Sequence, residues 1–216
     1  MDREIGRLLA TLDHMGIRRS SLVVLVSDHG ESLGEHGHVG HISQLYETLV
    51  HVPLIFSSPG NLPGGTVIDH PVSLVDLFPT ILDILGLDQP NGLHGRSLMS
   101  IMRGESMSPE SIIAATYQPA APRDSRALVH STFKYIMHAG TRRRELYDLK
   151  RDPNELQNIV SSDPATARKM ETLLTHELAA IDRAAPRSVE TSQDDLEQLE
   201  ALGYLQPHTR ATPTAP

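Results

Sequence analysis

The stretch SLVVLVSDHGESLGEHGHVGH, residues 21–41, joins a continuous apolar run to a loop rich in carboxylates and imidazoles. The run SLVVLV is typical of strands that are buried on both faces of an α/β sheet. The loop after it holds four of the twelve histidines of the chain. In open α/β sheets ligands bind beyond the ends of strands, so this loop is the leading candidate for a functional site.

Neighbouring segments predict the layers around this strand. Residues 2–16 place apolar side chains at the spacing of an amphipathic helix, and VPLIFSS, residues 52–58, predicts a second strand. Residues 70–87 predict a helix that ends at Gly86 and that Pro79 kinks or divides into two pieces. Its inward side chains are expected to be Leu74, Leu77, Ile81, Leu82 and Leu85. A helix that leads into a buried strand indicates an α/β architecture.

The second half of the chain has a different sequence pattern. Four short segments separated by turn-forming residues predict a small antiparallel sheet. These segments are residues 111–117, 126–132, 133–140 and 145–150. An amphipathic helix is predicted over 166–183, a last short helix over 192–205 and a disordered tail over 206–216.

Composition excludes several classes of protein. The formal net charge of −8 argues against a general nucleic-acid-binding protein, which would present a basic face. The apolar stretches are shorter than the roughly 18 residues that a membrane-spanning helix needs, and the charged N-terminus does not resemble a secretory signal. The chain has no cysteine, which excludes disulfides, thiolate metal sites and a cysteine nucleophile. The compartment stays undetermined, although a periplasmic or extracellular complete protein is compatible with these features.

Asp28 and His29 are candidate metal ligands at the end of the first strand, and the glycine after them allows a sharp turn. A carboxylate oxygen suits Ca²⁺ or Mg²⁺, and an imidazole nitrogen suits transition metals. The alternative for this pair is an N-capping aspartate beside a solvent-facing histidine. A surface-loop position is the alternative for His36 and His38. Structural positions are expected for His51 and His70.

A run of three arginines, residues 142–144, is a second charged feature. It predicts either a solvated basic turn or a contact with an anionic substrate, and we favour the solvated turn.

Five ordered motifs resemble the sulfatase family, within the alkaline phosphatase superfamily. They are SDHGESLGEHG, the glycine before His41, LYETLVHVPLIFSSPG, VSLVDLFPTILDILGL and ELYDLKRDPNELQN. The resemblance covers residues 2 to about 160. It implies part of an alkaline-phosphatase-like mixed α/β sheet flanked by helices, followed by a small antiparallel four-stranded sheet with a C-terminal helix. The implied division is a catalytic part over 1–105, a small α+β subdomain over 106–185, and a short helix and tail over 186–216.

The resemblance also implies roles for three residues of the loop. Asp28 and His29 stand where sulfatases complete the site of a divalent cation, usually Ca²⁺, with Mg²⁺ or Mn²⁺ as alternatives. His41 stands where many sulfatases have a lysine that contacts a sulfate oxygen and assists the leaving group. An imidazolium can donate the same hydrogen bond, and a histidine can act as a general acid near neutral pH.

Other parts of a sulfatase site are missing from the sequence. Sulfatases use a formylglycine made within a C/S-x-P-x-R motif, and this sequence has neither a cysteine nor a serine in that pattern. The paired aspartates that supply further metal ligands are also absent before the first helix. We therefore expect this chain to be the C-terminal part of a longer sulfatase, and to have no turnover as it stands because the covalent nucleophile is absent.

Two alternatives stay open. The first is a phosphoryl- or phosphonate-ester hydrolase or a phosphoethanolamine transferase of the same superfamily, which would share the Asp-His metal site. The second is a degenerate, non-catalytic homologue that binds a sulfated ligand or a partner. The expected ligand is a sulfated small molecule or glycan, and aryl, steroid and glycan sulfates are equally compatible. The sequence does not indicate an oligomeric state.

Overall fold

A computed structural model describes residues 1–41, 44–108, 110–116, 125–138, 140–184, 192–194 and 198, which form eight strands and five α-helices. The strands are β1 Val23–Val26, β2 Ser32–Leu33, β3 Val39–Gly40, β4 Leu54–Ser57, β5 Ile112–Ala115, β6 Ser125–His130, β7 Phe133–His138 and β8 Arg144–Asp148. The helices are α1 Asp2–His14, α2 Glu47–Val50, α3 Leu77–Ile84, α4 Met99–Met102 and α5 Pro164–Ala184. Residues 1–177 form one compact unit, and the remaining described residues belong to a second.

The predicted helix and two strands of the first part are confirmed. α1 leads into β1, and β1 pairs with β4 in antiparallel fashion with Val23 opposite Ser57. β1 is half-buried, with Val26 39% exposed, and was expected to be buried on both faces. β1 is less buried than expected because, among the described residues, it pairs with β4 alone.

The predicted helix over 70–87 is divided into two pieces, as its proline allows. A 3-10 turn over Leu74–Asp76 precedes α3, and Asp76 closes a capping box in which its side chain accepts from the Ser73 N–H. The expectation that Leu74 and Leu85 point inward is wrong, because they are 42% and 54% exposed. The 3-10 turn winds three residues per turn, so an α-helical spacing counted back across it misplaces Leu74. Leu85 is the C-cap of α3 and lies beyond its last turn.

The predicted small sheet is confirmed as a four-stranded antiparallel sheet with the order β5-β6-β7-β8. Its interior side chains are almost fully buried, and they are Ala127, Leu128, Tyr135, Ile136, Leu146 and Tyr147. Leu45 and Tyr46, which precede α2, form one hydrophobic cluster with Ala127, Ile136 and Tyr147 of this sheet. The segment after the candidate loop therefore packs directly on this sheet.

The remaining predictions concern the last third of the chain and the membrane. α5 confirms the helix predicted over 166–183. The last helix over 192–205 falls mostly outside the described residues, and the tail over 206–216 lies entirely outside them. Among the residues that the structure describes, no helix is long and apolar enough to cross a membrane.

Glu145 of β8 is the centre of a buried polar cluster. Its carboxylate accepts hydrogen bonds from the hydroxyls of Tyr46 and Tyr147 and from His138 Nε2 at 2.8 Å, and it lies 3.1 Å from Arg143 Nε. Burial by itself raises the pKa of this carboxyl, but these donors outweigh it and lower the pKa to about 2. Glu145 is thus an ionised carboxylate held inside the small sheet.

The lowered pKa of Glu145 predicts that part of the free energy of unfolding is lost in acid. The folded-state pKa of about 2 lies below the ordinary value of 4.5, so the stabilisation is fully present above pH 4.5 and lost as the pH falls toward 2. The difference between these two pKa values corresponds to roughly 3 kcal/mol. Urea unfolding at pH 5.5 and pH 3 measures it, with Glu105→Gln as an exposed control. Glu145→Gln is expected to be less stable than the native chain at pH 5.5 and to lose less stability on acidification; an equal loss in both proteins would contradict this role.

Candidate functional site

Asp28 and His29 lie directly beyond the end of β1, with their side chains 75% and 47% exposed. The Asp28 carboxylate accepts from the His29 N–H at 2.9 Å, and its other oxygen lies 3.7 Å from His29 Nε2. Hydrogen bonds from the backbone N–H groups of His29 and of Asp28 itself lower the pKa of the Asp28 carboxyl. Asp28 is therefore ionised at neutral pH, as a metal ligand must be.

A hydrogen bond to the backbone sets the state of the His29 ring. His29 Nδ1 is 2.8 Å from the carbonyl oxygen of Gly30, and a carbonyl can only accept, so Nδ1 carries the proton. In the neutral ring the lone pair is then on Nε2, the atom that faces Asp28. A backbone acceptor for the second ring nitrogen is the usual way in which proteins orient a metal-binding histidine.

The donor set fits part of a divalent-cation site. Two ligands at 2.3–2.6 Å from one ion and at right angles to each other are about 3.3–3.7 Å apart. The separation of 3.7 Å between Asp28 Oδ2 and His29 Nε2 agrees with this. No group of three or more carboxylate or imidazole side chains in the described part of the chain is arranged to hold an ion, so this pair would need further ligands.

The β2–β3 hairpin brings His41 back to this pair. β2 and β3 pair with Ser32 opposite Gly40, which places Glu31 opposite His41 at the open end of the hairpin. His41 Nδ1 is 3.0 Å from Glu31 Oε2, and its ring stacks on that of His29 with centroids 4.6 Å apart. The three predicted site residues thus lie together, although His41 is twelve residues from His29 in the chain.

Glu31 is a member of this cluster that sequence reasoning missed. Its carboxylate holds one nitrogen of His41, which leaves Nε2 of that ring available to another group. The signal that could have found it is the symmetry of the hairpin, because Glu31 and His41 are equally distant from His36 at the tip. That signal needs the register of two very short strands, which the sequence pattern does not determine.

The other charged candidates have structural partners. His36 stacks on Tyr46 with ring centroids 3.7 Å apart, and His51 Nδ1 lies 3.5 Å from Glu47 Oε2. Two of the three consecutive arginines are paired with carboxylates: Arg143 with Glu145, and Arg144 with Glu171. All three arginines are exposed, as the predicted solvated turn requires, and two of them also form these ion pairs.

Comparison with known proteins decides the family. Residues 34–184 match the family described as N-sulphoglucosamine sulphohydrolase, C-terminal. The chain belongs to the sulfatase family. The predicted resemblance is confirmed, and with it the fold class. The roles of Asp28, His29 and His41 stay predictions.

Curated relatives of this sulfatase chain include arylsulfatase K from mouse and zebrafish. The mouse protein is 32% identical over 173 residues, which are 76% of this chain and 31% of that protein. The zebrafish protein is 33% identical over 185 residues, which are 80% of this chain and 34% of that protein. A sulfatase from Formosa agariphila is 33% identical over 159 residues. The chain spans about a third of the length of the relatives it matches.

Solved structures similar to this sulfatase chain include one in complex with its substrate D-glucosamine-2-N,6-O-disulfate. That match has a TM-score of 0.75 at 29% identity, and covers 88% of this chain and 40% of the other. A phosphonate monoester hydrolase from Silicibacter pomeroyi matches with a TM-score of 0.68 at 29% identity, covering 85% of this chain and 39% of the other.

Proposed function

We propose that this chain supplies part of the metal site of a sulfuric ester hydrolase. Asp28 and His29 are the ligands that it contributes, Ca²⁺ is the expected cation with Mg²⁺ or Mn²⁺ as alternatives, and a sulfated small molecule or glycan is the substrate. The observation that carries the proposal is the cluster at the end of β1. There an ionised carboxylate, an oriented imidazole and a second imidazole lie within contact distance.

Each residue of the cluster has a distinct task in this proposal. A bound cation would neutralise the sulfate oxygens as charge develops on them. Asp28 contributes the negative charge that holds it, and His29 is kept in one ring orientation by its bond to Gly30. In its imidazolium form His41 would donate from Nε2 to an oxygen of the sulfate ester, while its Nδ1–H donates to Glu31.

The nucleophile is not assigned to any residue of this chain. The sequence contains no cysteine and no serine in the C/S-x-P-x-R pattern from which sulfatases make formylglycine. We expect the chain by itself to hydrolyse no sulfate ester. Binding of a metal ion is therefore the property that tests the proposal directly.

Substitution of Asp28 is expected to weaken metal binding. Asp28→Asn keeps the shape of the side chain and removes its charge, and we expect affinity for Ca²⁺ and Mn²⁺ to fall about tenfold or more. The measurement is Mn²⁺-induced broadening of the His29 ring signals by NMR, with Ca²⁺ as competitor. Asp88→Asn, at an exposed position outside the cluster, is the control. His41→Ala is expected to keep the metal affinity, and unchanged affinity in Asp28→Asn would overturn the proposal.

Hydrolysis of phosphonate or phosphate esters is the second candidate function. It is favoured by the similarity to the phosphonate monoester hydrolase from Silicibacter pomeroyi, and by the nitrogen ligand that His29 offers to a transition metal. A complete polypeptide containing these residues would be assayed with an aryl sulfate and with the matching aryl phosphonate. Faster turnover of the sulfate supports the first proposal, and faster turnover of the phosphonate supports the second.

A further inference from the structure

The site loop, residues 27–41, rests on the short segment 46–50 that contains α2. The Gly30 N–H donates to the carbonyl of Leu49 at 2.8 Å, and the Ser32 and Thr48 hydroxyls are 3.2 Å apart. At the tip of the hairpin, the His36 ring lies nearly parallel to the Tyr46 ring, with 10° between their planes. The loop therefore follows the segment 46–50 from its base to its tip.

The opposite side of segment 46–50 is fixed to the small sheet by the Tyr46 side chain. Tyr46 is 5% exposed and packs in the hydrophobic cluster with Ala127, Ile136 and Tyr147. Its hydroxyl donates to Glu145 Oε2 at 2.9 Å. Burial, with the negative charge of Glu145, raises the pKa of Tyr46 to about 12, so the hydroxyl keeps its proton and stays a donor.

A second buried contact fixes the next residue of the segment. Glu47 Oε1 lies 2.9 Å from Lys134 Nζ on β7, and the Glu47 N–H donates to Glu155 Oε2 at 2.6 Å. Lys134 and Glu155 are both fully buried. Adjacent residues of one short segment are thus tied to three positions of the C-terminal part, and charged groups so buried are held only in a narrow geometry.

We infer that Tyr46 is a positioning residue through which the small sheet sets the place of the metal-site loop. Tyr46 touches His36 of the loop on its ring face and Glu145 of the sheet through its hydroxyl. It is the one side chain among the described residues with both contacts. The inference rests on the proposed function, because it assigns to the small sheet a role in holding Asp28 and His29 where a cation could bind.

The first test breaks the contact from the loop side. His36→Ala removes the ring that stacks on Tyr46. His38→Ala removes an exposed histidine of the same hairpin that stacks on no ring of the described residues. We expect His36→Ala to shift the ring signals of His29 and His41 and to weaken Mn²⁺ binding roughly three- to tenfold. This loss of affinity is smaller than the loss expected on removing a residue that contacts a metal ligand directly. Tyr46 contacts the loop at His36 and not at Asp28 or His29. His38→Ala is expected to change neither property.

The second test breaks the contact from the sheet side. The Tyr46 and Tyr147 hydroxyls donate to the same oxygen of Glu145, but Tyr46 alone of the two stacks on the loop. We expect Tyr46→Phe and Tyr147→Phe to lose similar stability in urea, while only Tyr46→Phe shifts the His29 ring signals and weakens Mn²⁺ binding. The stability measurement separates a positioning role from a general effect on folding.

The outcomes distinguish this inference from the proposed function. If the unmodified chain shows no Mn²⁺ broadening of His29, the metal-site proposal fails, and the ring shifts of His29 and His41 alone decide the positioning role. Shifts in His36→Ala and Tyr46→Phe without shifts in their controls support that role. Equal responses within either pair, or no response in any variant, would overturn it.

Discussion

Lys134→Met is expected to lower the free energy of unfolding by about 3–5 kcal/mol, because it leaves a buried carboxylate without its cation. The Lys134 ammonium is fully buried, 2.9 Å from Glu47 Oε1 and 2.9 Å from Glu155 Oε1. Methionine fills a similar volume, so the loss reports the missing charge more than a cavity. Burial already raises the pKa of Glu155, and Lys134 is the largest influence that lowers it. Without Lys134, the Glu155 carboxyl must be protonated to stay buried.

Urea unfolding at pH 7 measures this loss. Lys150→Met is the matched control, since Lys150 is exposed and its replacement is expected to change stability by less than about 0.5 kcal/mol. The double variant Lys134→Met, Glu155→Gln removes the stranded charge and is expected to regain part of the loss. A cost below about 1 kcal/mol for Lys134→Met would mean that water reaches this cluster.

Gly30→Ala is expected to cost about 3 kcal/mol, the upper end of the range for overpacking a well-packed site. A Cβ atom built at Gly30 would lie 2.0 Å from the carbonyl oxygen of Thr48 and 3.3 Å from the Leu49 Cα. Both neighbours are backbone atoms, so no side chain can rotate away to make room. The loop must separate from segment 46–50, and the hydrogen bond from the Gly30 N–H to Leu49 would be lost with it.

Thermal and urea unfolding of Gly30→Ala measure this cost, and the Mn²⁺ titration measures its effect on the site. Gly64→Ala is the control, because no atom lies within 4 Å of a Cβ built there. We expect Gly64→Ala to unfold like the native chain and Gly30→Ala to lose metal affinity as well as stability. Native stability and native metal affinity in Gly30→Ala would show that the loop does not need its close approach to Thr48.

Local patterns were sufficient to predict most of the elements. The apolar spacing of residues 2–16 and 166–183 identified α1 and α5, and four short segments separated by turn-forming residues identified the four-stranded sheet. Pro79 indicated a break, but its consequence for the buried face depended on the 3-10 turn before it. The burial of Lys134 and Glu145 had no signal in the sequence, since either residue on an isolated strand is compatible with a solvent-facing position.

By itself, the sequence determined the family and the side-chain groups present at the candidate site. The order of residues after SLVVLV places a carboxylate and an imidazole at a strand end, and side-chain chemistry is a property of each residue alone. Only the tertiary structure decided which groups meet. The hairpin register brings Glu31 and His29 against His41, and Tyr46 joins the loop to the small sheet. Contacts between segment 46–50 and the C-terminal part join residues up to 108 positions apart, and they form because burial selects one packing out of many that the same local patterns allow.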